Sequence, residues 1–172
     1  MLRITLPVAL LAGIAATAAA QNGRGAVSAV ESQWRGVTTH ITTVAEETAE
    51  ADYGWRPIGT VRTIGEMVAH VAGAQNLICA AALGESPRAE DEFEGKGLSK
   101  AALVAALKAS TEYCGRAFAQ TDAALQAQTP LFGQESTRFG ALVLNAMHNG
   151  EHYGNLVTYY RIRGQVPPSS RP

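Results

Sequence analysis

Residues 148–152 read HNGEH, inside the stretch LVLNAMHNGEHYGNLVTYY. On a helix, His148 and His152 stand one turn apart, so their imidazoles converge on a point about one side-chain length from the axis, as chelation of a metal ion requires. Glu151 sits about 60° around the helix from His148, on the side away from His152. It is the one candidate catalytic group, an acid at the mouth of a site; the plainer reading is a solvated helix face. The same five residues also satisfy H-x-x-E-H, the inverted zincin pattern, in which the glutamate is the general base and an acid further downstream is the third ligand. From Tyr153 to Pro172 there is no Asp or Glu. That ligand therefore has no source, and a metalloprotease is the least favoured reading.

Two histidines leave a metal site short of a ligand, and the elements that carry them decide where a third comes from. Alanine is abundant and alternating β-branched runs are scarce, so the period to follow is 3.6 residues. Four helices follow from it. The first runs roughly from Ala26 to Glu50, with Val27, Val30, Trp34, Val37, Ile41, Val44 and Thr48 in one stripe. The second opens at TIGE, where Thr63 and Glu66 form a capping box, and runs to about Leu83 before Gly84. The third starts after Ser99 and reaches about Ala119, with Leu103, Leu107, Ser110, Cys114 and Phe118 in register. The fourth runs from near Thr137 to Arg163, where Gly164 and then Pro167-Pro168 stop it.

In the fourth helix His148 and His152 share a stripe with Ala141, Leu144, Leu156 and Tyr159, the side that otherwise supplies core contacts. In the second, His70 shares a stripe with Met67, Ala74, Leu77 and Ala81. A lone inward histidine is usually explained by a hydrogen bond within the core. Here His70 supplies the ligand that the His148/His152 pair lacks, and the pattern becomes a three-histidine metal site. His40 lies on a polar edge with Gln33, Gly36, Thr43 and Glu47 and is read as exposed. Asn149 and Asn155 are weak candidates for groups that orient the ligands. Gly150 and Gly154 each cost helix stability, which close packing or room for a ligand would explain.

The connections between helices, about 12, 14 and 16 residues, exceed what an up-down-up-down bundle needs, so at least one is expected to cross the bundle's length. The N-terminal stretch MLRITLPVALLAGIAATAAAQNG has the three parts of a secretory signal: basic Arg3, an apolar run, and small residues before Gln21. The expected organisation is a signal peptide over 1–20, one bundle domain over 21–163 and a flexible tail over 164–172. Export to the periplasm or outside the cell follows, with no membrane anchor remaining after cleavage. Losing Arg3, the only charge in the leader, moves the formal net charge from −1 to −2. The basic residues are scattered and no aromatics interleave with a basic cluster, so nucleic acid is not an expected partner.

The segment DYGWRPIGTVRTIGEMVAHVAGAQNLICAAALG, followed far downstream by a helix bearing H-x3-H, resembles the DinB-like superfamily, which includes the bacterial thiol-dependent transferases. The resemblance implies an all-α, up-up-down-down four-helix bundle with two crossovers. It also implies a metal bound near one end by His70, His148 and His152. Members are described as binding zinc, nickel or iron, and some act as metal-dependent thiol transferases, maleylpyruvate isomerases or hydrolases. The implied function is a metal-dependent hydrolase or transferase acting on an unidentified small molecule, with a non-catalytic metal-binding bundle as the alternative and a homodimer left open. The transferases' low-molecular-weight thiols are cytoplasmic, which sets that branch against an exported chain. Up-up-down-down order would make the second and third helices antiparallel. Cys79 and Cys114 would then be offset by roughly 16 Å at 1.5 Å per residue and are expected not to pair.

Overall fold

The computed structural model describes residues 23–172, so the expected leader lies outside the described residues. Among the described residues four α-helices carry the fold: α1 (Gly25–Glu47), α2 (Ile64–Leu83), α3 (Lys100–Phe118) and α4 (Arg138–Ile162). Their ends follow the local chemistry. Thr63 and Glu66 make the reciprocal capping box, and Gly84 closes α2 at φ 70° in the left-handed region, where a glycine costs least. Ser99 caps α3 and Thr137 caps α4, each side chain accepting from an amide three residues on. The first turn of α1 has no such neighbour. Its exposed amides are met instead by Asp122, whose carboxylate accepts from the N–H groups of Ala26 and Val27 at 3.0 and 2.9 Å.

Cross-helix contacts give the directions. Asn149 meets Thr38 and Tyr160 meets Thr48, so α4 and α1 run the same way. Gln75 reaches Ser110, and the carbonyl of Ala82 is met by Gln120, so α2 and α3 also run together. Asn145 approaches Cys79, whereas Tyr159 donates to the carbonyl of Arg62, which sets α4 against α2. The bundle is therefore up-down-down-up, not the expected up-up-down-down, and it has a single crossover. That crossover, residues 84–99, runs back along α2. Gly73 admits it: a Cβ there would lie 1.9 Å from the carbonyl oxygen of Glu90, so only glycine lets the two backbones approach this closely.

Parallel α2 and α3 also overturn the expectation for the cysteines. Cys79 and Cys114 lie at the same level, with their Cα atoms 5.3 Å apart, and form a disulfide that is fully buried. The expected offset of roughly 16 Å holds only for antiparallel helices, and α2 and α3 run parallel.

The connection between α3 and α4 holds a hairpin that helical periodicity does not reveal. Strands β1 (Gln128–Leu131) and β2 (Gln134–Thr137) pair antiparallel across a two-residue turn. Phe132 at φ 50° and Gly133 at φ 73° put both central residues in the left-handed region that a tight hairpin requires. The C-terminal residues, expected to be flexible, are tied back. The Ser169 amide donates to the Tyr153 hydroxyl at 2.9 Å, and Arg171 pairs with Glu47 at 2.7 Å.

Two apolar clusters fill the bundle, one around Ile41, Val68, Leu107 and Leu156 and the other around Trp34, Ile78, Phe118 and Leu142. Between them runs a layer of buried polar groups centred on Gln75. Its carbonyl oxygen accepts from Trp34 and from Asn149, and its amide donates to Ser110. Asn149 is thereby committed to Gln75 and Thr38.

Candidate metal centre

Antiparallel packing of α2 against α4 brings the two histidine stripes together. His70, near the start of α2, meets His148 and His152 from the middle of α4. Their Nε2 atoms stand 3.1 Å apart between His70 and His148, and 3.0 Å apart between His148 and His152. One nitrogen from each ring lies within 4.8 Å of the others, a group that could hold a metal ion. His70 and His152 are buried and His148 half-buried. His40 is not part of this group. It is half-buried rather than exposed, stacked on Tyr153 with ring centroids 5.1 Å apart.

The crossover completes the surroundings of His70. Glu94 places a carboxylate oxygen 3.2 Å from His70 Nδ1, with Glu90 at 3.9 Å, and Arg62 holds Glu94 through Nε at 2.7 Å and Nη2 at 3.3 Å. An ionised carboxylate can only accept, so Glu94 keeps the His70 proton on Nδ1 and leaves the lone pair on Nε2. Periodicity missed Glu90 and Glu94 because they lie in a non-helical connection. The one available signal was the acidic run AEDEFEG at residues 89–95.

The donors fit a cation. With the His70 lone pair turned inward, a single proton on His148 Nε2 would have to serve two acceptors at once. The Nδ1 atoms of His148 and His152 are meanwhile buried with no partner among the described residues. A divalent ion accepting all three Nε2 lone pairs resolves that conflict. The observed 3.0 and 3.1 Å separations are near the roughly 3.3 Å expected between nitrogens bound to one tetrahedral ion. Protonation is disfavoured: burial, then the neighbouring His70, pushes His148 down to about 4, and burial, then His148, pushes His152 down to about 3. Burial also lowers His70, opposed by Glu94 and Glu90. The three rings are therefore neutral at neutral pH, the form that binds metal.

A cavity of about 540 Å³ opens beside His152, bounded by Arg56, Arg62, Glu66, Glu94, Glu151 and Tyr159. Glu151 is exposed on its wall and makes no hydrogen bond or ion pair among the described residues. Asn155 also lines the cavity, exposed. A Cβ at Gly150 or Gly154 would meet nothing within 4 Å, so close packing does not account for those glycines. Among the described residues, no fourth His, Cys, Asp or Glu joins the three rings.

Fold and site together define a four-helix bundle with a three-histidine centre beside an open cavity. The DinB superfamily profile matches residues 33–156, a span that includes all three histidines, and the chain belongs to that superfamily. The structure is similar to that of a mycothiol-dependent maleylpyruvate isomerase, with 19% identity and a TM-score of 0.63, over 76% of this chain and 60% of that one. It is also similar to the DinB-like protein YjoA of Bacillus subtilis, with 19% identity and a TM-score of 0.60, over 80% of this chain and 92% of that one. The chain thus spans about three fifths of the isomerase's length, and at such identities the likeness concerns the fold alone. No curated protein matches the sequence.

Proposed function

We propose that this is an exported metal-dependent enzyme, of hydrolase or transferase type, that acts on a small molecule held in the cavity beside His152. The observation that carries the reading is the set of three neutral, inward Nε2 donors on one side and open space on the other. Three imidazole ligands leave a divalent ion with a free position, where it would lower the pKa of a bound water or polarise a substrate oxygen. The chain's own residues do the rest. His70, His148 and His152 would hold the ion, Glu94 fixes the tautomer of His70, and Arg62 fixes Glu94. Glu151, on the cavity wall and free of other partners, is placed to accept or return a proton from a substrate bound there.

Export is supported by the signal-like leader and by the Cys79–Cys114 disulfide, a bond that persists in oxidising compartments. Dependence on a cytoplasmic thiol cofactor fits an exported chain poorly, so hydrolysis is favoured over thiol transfer. Imidazole ligands suit zinc, nickel and iron alike.

The test is X-ray absorption on tag-free mature protein carrying its own metal, followed by a screen of small esters, amides and lactones. Three nitrogen neighbours plus a light, exchangeable oxygen support the proposal, together with turnover that falls in Glu151→Gln. A filled shell of four protein ligands, with no turnover, would make the centre structural.

A further inference from the structure

A second cavity, of about 500 Å³, lies at the opposite end of the bundle, between the last turn of α2, the crossover and the β hairpin. Its wall is mainly apolar, formed by Leu77, Ala81, Pro87, Pro130 and Phe132, and its one cation among the described residues is Arg138. Arg138 begins α4, about 15 Å along that helix from His148 at 1.5 Å per residue. The two cavities are therefore separate sites.

The arginine is without employment inside the fold. Its Nε is buried with no hydrogen-bond partner, and no described residue forms an ion pair with its guanidinium. Its guanidinium lies against Gly84, where a Cβ would stand 2.0 Å from Nη2. Three carbonyls near the end of α2 are already served. Ala80 accepts from the Glu85 amide, Ala81 from Gly84 and from Thr129 Oγ1, and Ala82 from Gln120. Glu85, the one acid on the cavity wall, is committed elsewhere, its two oxygens taken by Tyr113 at 2.6 Å and Arg116 at 2.9 Å. A half-buried guanidinium with no counter-ion among the described residues, beside apolar walls, is costly until an anion meets it.

We infer that this cavity binds a small monocarboxylate with an apolar body, its carboxylate on Arg138 and its tail between Leu77, Ala81 and the hairpin. The guanidinium offers the planar fork that matches a carboxylate, and the volume suits one small ligand. Phe132, 52% exposed at the hairpin tip, forms the lip over the tail. The inference is independent of the metal centre.

Hexanoate and the matched neutral hexan-1-ol are titrated into isotopically labelled mature protein, as purified, and followed by NMR. Hexanoate is expected to perturb the resonances of Leu77, Ala81, Leu131 and Gly133 and to bind about tenfold more tightly than the alcohol, the margin of one charge-assisted contact. Arg138→Gln should erase that preference, and Ala81→Phe, which leaves the arginine untouched, should block both ligands. Three results would overturn the inference: no perturbation at this end of the bundle, a preference that survives Arg138→Gln, or perturbation confined to the surroundings of His70, His148 and His152.

Discussion

A carboxylate oxygen of Glu94 lies 3.2 Å from Nδ1 of His70, reached from a connection that runs the length of the bundle. Through it, a helix histidine and a loop acid act as one unit. Glu94→Gln keeps the shape but removes the charge that pins the His70 proton. Metal affinity should fall by about 10- to 100-fold, the usual effect of losing such a partner, with little change in helicity. Chelator competition measures the affinity and circular dichroism the fold.

Gly73 and Gly150 should respond to alanine in opposite directions. At Gly73 a Cβ would drive against backbone, 1.9 Å from the Glu90 oxygen, so Gly73→Ala should cost about 1–3 kcal/mol and also loosen Glu94. At Gly150 nothing stands within 4 Å, so Gly150→Ala should stabilise α4 by about 0.5–1 kcal/mol. Urea denaturation of the two variants beside the parent gives both values.

Denatured, unreduced protein should show no titratable thiol, and two after reduction, because Cys79 and Cys114 are joined. The bond closes a loop of 35 residues. Replacing both cysteines by alanine should therefore lower stability by about 2–4 kcal/mol. Two free thiols before reduction would contradict the parallel packing of α2 and α3.

Acid should destabilise the metal-free protein through its buried histidines. His148 and His152 have folded values of about 4 and about 3, below the ordinary 6.5. Between those values and 6.5 the unfolded chain binds more protons, so stability rises with pH across that window and is flat above it as far as these groups are concerned. Thermal melting of chelator-treated protein from pH 3 to 7 should show the slope, and His152→Leu should reduce it.

Sequence legibility followed the locality of each signal. Thr63 with Glu66, Gly84, Ser99 and Thr137 marked the helix ends because capping is written within a few residues, and the inward stripes of α2 and α4 placed the three histidines on core-facing sides. Helix direction is not written in periodicity. The long stretch 84–99 hinted at a crossover but not which pair it would make parallel, and the disulfide was missed for that reason. Glu94 escaped because loop residues have no period. The hairpin escaped because Phe132-Gly133 is not among the stronger turn pairs, and its strands are only four residues each.

Metal content of tag-free mature protein bears most directly on the central claim, measured by elemental analysis after dialysis, for the parent, His70→Ala, His148→Ala and His40→Ala. About one divalent ion per chain is expected in the parent and in His40→Ala, with nearly none in the other two, since each loses one of three ligands. Full retention in His70→Ala, or an equal loss in His40→Ala, would contradict a centre built from His70, His148 and His152.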